Sequence, residues 1–179
     1  VTLTRTGRFL ALVSLLAAAP GPARAQVWTA ISGGAYVPTQ TSPFGSFQSR
    51  PTASLAVGYD SEYLGGSLWA GFVNTQAGAL LQASCFPVMA RVRARLPLGV
   101  AIPFAYGGVG FAPSKASIDL VPYDTVAFTA AAGAGVDFDF GEMFTLGLES
   151  GYLWLSPTYW FGTVRLDGVL AVATFALRF

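Results

Sequence analysis

Arg91, Arg93 and Arg95 alternate along one stretch of the chain, among Val88, Ala90, Val92, Ala94 and Leu96. On an extended strand this spacing sends the three guanidinium groups to one face and the apolar residues to the other. Asp137, Asp139 and Glu149 lie in later segments with the same alternation, and Arg178 adds a fourth cation near the end. Charges gathered in a dry interior must be paired and hydrogen-bonded to be tolerated. Such a cluster either closes the space it occupies or lines a path for ions. Covalent chemistry has little support. The chain has no histidine, so neither a serine nor the lone Cys85 has an imidazole to activate it. No histidine or cysteine spacing marks a metal site, and Asp119 with Asp124 is a thin pair for calcium. Catalysis, cofactor and metal are therefore not expected, and Cys85 reads as an unpaired loop thiol.

The elements that position these charges are strands. From Gln26 onward the sequence follows period 2, broken by turn residues. Eight segments result, near 26–37, 52–59, 63–76, 86–96, 99–112, 125–140, 143–155 and 166–179. Tight turns at Asp60-Ser61-Glu62, Pro97-Leu98 and Gly141-Glu142 alternate with longer stretches at 38–50, 77–85, 113–124 and 156–165. Strict short-long alternation is the pattern of an antiparallel up-and-down barrel with both termini at the short-turn end. Pro103 cannot donate to a ladder, which predicts a bulge at 102–104.

Composition places this barrel in a membrane. Hydrophobic residues make up 53% and charged residues 11%, where about 25% charged is usual. Yet no apolar run reaches the roughly 18 residues of a spanning helix. In the last segment Val169, Ala171, Ala173, Phe175, Leu177 and Phe179 share one face, opposite Leu170, Val172, Thr174, Ala176 and Arg178. Its length fits the roughly 9–11 residues of a tilted membrane strand. A soluble barrel would have to place the second faces in water, although they carry almost no charge. Small residues suit a narrow lumen better. In the fifth segment this rule assigns Ala101, Pro103, Ala105, Gly107, Val109 and Phe111 to the lumen. Trp28, Trp69, Trp154, Tyr63 and Tyr152 lie near strand ends, where they are expected as interfacial girdles.

Residues 1–25 read as a cleavable secretory signal. Arg5 and Arg8 precede an apolar stretch from Phe9 to Ala19, then Pro20-Gly21-Pro22 and the small-x-small site Ala23-Arg24-Ala25. The alternative, a buried helix, has no other helical segment to pack on. The domain is then 26–179. The full chain has ten basic and nine acidic residues, and loss of the leader leaves seven against nine. No basic patch invites nucleic acid.

Two stretches carry a family resemblance. Gly133-Ala134-Gly135-Val136-Asp137-Phe138-Asp139-Phe140, turning through Gly141-Glu142 into Phe144-Thr145-Leu146-Gly147-Leu148-Glu149, resembles the penultimate hairpin of small outer-membrane barrels of the OmpX type and the OmpA membrane domain. The ending Ala176-Leu177-Arg178-Phe179 is similar to their C-terminal assembly signal. The resemblance implies an eight-stranded transmembrane β-barrel in a bacterial outer membrane. It also implies that Phe175, Leu177 and Phe179 are read by the barrel-insertion machinery.

Within that frame the arginines face the lumen, because arginine facing lipid at mid-membrane costs about 2–4 kcal/mol. Counted from the short turns, Arg91 and Glu149 share a height near the middle, with Arg95, Asp137, Asp139 and Arg178 below. Above them the lumen list is small and apolar: Ala105, Gly107, Ala131, Gly133, Gly151, Leu170 and Val172. These residues either pack tightly or leave a greasy cavity open outward. Phe44, Phe47, Leu80, Leu81, Leu120, Tyr123, Tyr159, Trp160 and Phe161 then line its mouth or form a surface patch. The expectation is a monomeric, non-enzymatic barrel in outer-membrane lipid, with periplasmic termini and short external loops. Its role is structural or surface-interacting, through an extracellular partner. Binding or passage of a small hydrophobic ligand is the alternative.

Overall fold

The computed structural model describes residues 26–42, 45–78, 81–118, 121–141, 143–159 and 162–179. The expected signal at 1–25 lies outside them, as do Phe44, Leu80, Asp119, Leu120, Glu142, Trp160 and Phe161. The fold is all-β, a ring of eight strands. They are β1 (Gln26–Pro38), β2 (Arg50–Asp60), β3 (Leu64–Ala77), β4 (Leu81–Cys85 continued by Val88–Arg95), β5 (Ala101–Ile118), β6 (Val121–Phe140), β7 (Phe144–Leu155) and β8 (Gly168–Arg178). Each strand pairs antiparallel with its neighbours in sequence, and β8 returns to β1 from Trp28↔Arg178 to Pro38↔Gly168. Closure satisfies backbone donors and acceptors around the wall, which hydrocarbon demands.

The register sets the bore. A lateral walk from Trp28 passes through Gly58, Ser67, Arg91, Gly108, Ala131, Leu153 and Gly168. It meets β1 again at Pro38, ten residues past its start. A closed ring with such an offset has strongly tilted strands and a narrow interior filled by side chains. Outside, Ile31, Leu55, Leu68, Val92, Val109, Phe128 and Leu148 are exposed around the whole ring. An apolar belt of that extent is stable against lipid, not water. Phe72, Phe86, Phe111 and Trp154 are exposed toward one end of it, and Tyr63, Phe140, Phe144 and Phe179 toward the other.

Four expectations need correction. Trp28 and Trp69 are not girdle residues, for both point inward and are buried. The bulge at Pro103 is absent: Ile102, Pro103 and Phe104 pair in step with Asp137, Val136 and Gly135. The Leu96 amide donates to the Pro103 carbonyl at 2.9 Å. The edge where Pro103 lacks a donor therefore faces the end of β4, beyond its last ladder residue. The inward face of β5 is Ile102, Phe104 and Tyr106, so Ala105 and Gly107 lie outside, exposed. Finally, two of the long loops are mostly strand. β5 and β6 pair as far as Ile118↔Val121, and Leu81–Cys85 pairs with Ser114–Ile118.

Belt and bore make opposite demands on charge. Leu148→Arg, at the middle of the exposed face of β7, should cost about 2–4 kcal/mol in reversible urea unfolding from lipid vesicles. Val121→Arg, at the far tip of the β5–β6 hairpin, should change stability little in the same assay.

Candidate functional site

Inside the bore the charges meet in pairs. Arg91 Nη1 donates to Glu149 Oε1 at 2.9 Å, and Arg93 Nη2 to Asp137 Oδ2 at 2.5 Å. Arg178 Nη1 donates to Asp139 Oδ2 at 2.5 Å, while the Thr145 hydroxyl donates to the other Asp139 oxygen at 3.0 Å. All seven residues singled out in the sequence thus line one interior. Arg95, however, pairs with a residue absent from that set. Its Nη1 lies 3.3 Å from Asp60 Oδ2 and donates to the Ser61 carbonyl at 3.2 Å. Asp60 was hidden by its place at a tight turn. The signal that marks it is phase, since it shares the inward face of β2 with Thr52, Ser54 and Gly58.

Aromatic rings complete the cluster. Arg91 stacks over Trp69 at 4.1 Å and over Tyr106 at 4.6 Å. Arg93 stacks over Phe104 at 4.0 Å and over Trp28 at 5.4 Å. A desolvated cation–π contact contributes about 2 kcal/mol. The rings fit because glycines on neighbouring strands make room for them. A Cβ on Gly151 would lie 2.1 Å from the Tyr106 hydroxyl, and one on Gly135 would lie 2.5 Å from the tip of Phe104. Gly133 meets the Tyr106 ring in the same way, and Gly58 meets Trp28. Gly133 and Gly151 therefore form a slot for Tyr106 rather than a hollow. Ala131, Leu170 and Val172 also face inward, the first two buried.

Above the charges the interior is apolar and packed. Tyr36, Met89, Leu153, Leu155, Leu166 and Leu170 are buried, and Phe47 and Tyr159 fold in from the outer connections to join them. The Tyr36 hydroxyl donates to the Leu166 carbonyl, and the Leu155 amide donates to Asp167 Oδ1 at 2.7 Å. Phe47, Leu81 and Tyr159 are core residues, neither a mouth nor a surface patch, and Tyr123 packs partly buried against them. Cys85 belongs to the same cluster; it is a free but buried strand thiol, not a loop thiol. Lower down, a cavity of about 40 Å³ remains between the ion pairs, lined by Trp28, Trp69, Arg91, Arg93, Asp137 and Glu149 among others. Among the described residues no acid or thiol group of three could hold a metal ion.

No protein-family model and no curated sequence matches the chain. Solved structures do. Neisserial surface protein A matches with a TM-score of 0.61 at 15% identity, over 86% of this chain and 95% of its own. The outer membrane protein OprG of Pseudomonas aeruginosa gives 0.64 at 13% identity, over 89% and 98%. Ail, the attachment invasion locus protein of Yersinia pestis, solved with the heparin analogue sucrose octasulfate, gives 0.52 at 16% identity, over 88% and 100%. The chain has the fold of the small outer-membrane β-barrels, as its two motif stretches implied.

Two measurements probe this interior. Glu149→Ala leaves Arg91 buried without a carboxylate and should lose about 3–5 kcal/mol in urea unfolding. Arg91→Met combined with Glu149→Met should recover most of that loss; a double variant as unstable as the single one would mean that the pair is not coupled. Cys85 should resist a bulky maleimide in the folded barrel and react fully once the protein is boiled in detergent.

Proposed function

We propose that this chain is a non-enzymatic barrel of a bacterial outer membrane, with a closed lumen and a structural or surface-interaction role carried by its outer hairpins. One observation carries the reading. From the four ion pairs up to Phe47 and Tyr159, the interior is occupied by paired charge and then by packed apolar side chains. A bore closed by packed side chains above the cavity between the ion pairs supports a scaffold better than a conduit. The same packing weakens the alternative of a small hydrophobic guest in the upper lumen.

The termini lie with the short turns, which by the usual asymmetry of these barrels is the periplasmic side. The opposite end then carries the tall β5–β6 hairpin into the medium. At the seam Phe175 and Phe179 are exposed on the outer face of the C-terminal strand, a presentation that suits recognition by the insertion machinery. Ail was solved with a sulfated polyanion, but that chemistry transfers poorly. The outer connections here carry Arg50, Lys115 and Arg165 against Asp119, Asp124 and Asp167, which gives no concentrated positive field. One copy suffices to close the lumen.

The refolded barrel in a planar bilayer should show no steady conductance, and Glu149→Gln should leave it silent. Steady openings in the unaltered protein would replace the closed scaffold with an ion path.

A further inference from the structure

We propose that the chamber between the ion pairs is a binding site for one small monovalent anion. Arg91 carries the argument. Its guanidinium stacks on Trp69 and on Tyr106, and its Nη1 is used by Glu149. Nε and Nη2 remain, buried and without a partner among the described residues. They share one edge of the guanidinium plane, the fork that otherwise grips a carboxylate or phosphate. Trp28 Nε1 and Arg93 Nε, on two more lining residues, are buried and unpartnered as well. Arg91 and Trp28 are each 5% exposed, so bulk water does not serve them.

These four groups are donors that cannot accept. The carboxylates on the same lining, Glu149, Asp137 and Asp60, each already receive an arginine. Asp60 Oδ1 and the Tyr106 hydroxyl are buried without a partner among the described residues as well, the first against Gly65 and the second over Gly151. The Ser32 hydroxyl is engaged with Thr174 at 2.9 Å. Water could receive one or two of the orphaned N–H groups and give its hydrogens to Asp60 Oδ1 and the Tyr106 hydroxyl, but the unpartnered donors on the lining outnumber them. An anion receives several N–H groups and brings no hydrogens. The cavity of about 40 Å³ exceeds the roughly 10–15 Å³ that one water needs. The four arginines are formally balanced by Asp60, Asp137, Asp139 and Glu149. Directed N–H groups rather than net charge therefore hold the ion, as in backbone anion nests.

Bromide is the probe. The protein, refolded in detergent and crystallised from bromide in place of chloride, should give one bromine anomalous peak inside the bore, against the free edge of Arg91. Trp28→Phe keeps the ring over Gly58 and Arg93 but removes one donor. It should weaken bromide about tenfold, the worth of one hydrogen bond to a charged group. That loss is read from the bromide dependence of the unfolding temperature, with gluconate at equal ionic strength as the blank. Water alone in the chamber of the bromide crystals would overturn the proposal, as would an unchanged bromide dependence in Trp28→Phe. The site rests on the interior geometry and not on the surface role, so bilayer conductance and bromide occupancy fail independently.

Discussion

A guanidinium inside a bore this narrow cannot turn to bulk water, and it cannot shed its charge. Everything around Arg91, Arg93 and Arg95 follows from that. Each needs an acceptor in its plane and something polarisable on its faces, within reach of a side chain fixed to one strand. β7 supplies Glu149, β6 supplies Asp137 and the end of β2 supplies Asp60, while Trp69, Tyr106, Phe104 and Trp28 serve as plates. Removing one carboxylate from such a set leaves a buried charge uncompensated, which costs more than the pair contributes when intact.

The plates explain the glycines. A ring this tightly closed has no depth for aromatic side chains to stand upright, so they lie along the wall across neighbouring strands. Gly58 beneath Trp28, Gly135 beneath Phe104 and Gly133 with Gly151 beneath Tyr106 are the positions where a Cβ would prevent it. Small residues on the inner face thus measure how much aromatic volume covers them, not how much space is free. The upper interior shows the same economy with aliphatic groups, where Tyr36 crosses Gly168 and packs with Leu153, Leu166 and Leu170.

Much of this was legible in the sequence, and what was not has physical causes. Eight strands and their turns could be read because period 2 and turn chemistry are local signals. The charged set could be read because an arginine on every second residue has only one tolerable side in a membrane. Both faces of β5 are apolar, so only residue size separates them in the sequence, and the face of smaller residues is the outer one. Asp60 reads locally as turn chemistry, because nothing in its neighbourhood shows that Arg95 reaches it across β3. The outer ends of β5 and β6 looked like a loop because Pro113 and Pro122 interrupt the pattern. Pro113 nonetheless accepts a hydrogen bond from the Phe86 amide and Pro122 pairs opposite Ser117, so the ladder runs on.

The seam between β1 and β8 has a consequence in time. Trp28 pairs beside Arg178, so the first strand made must wait for the last before either has both neighbours. Until then the growing sheet carries two open edges, and its apolar belt faces water. Contacts of such sequence separation form slowly, because the loop-closure entropy is lost before any pairing offsets it. Meanwhile the open edges invite association with other chains. A ring that closes end to end therefore depends on being kept apart from its own kind until β8 has reached β1.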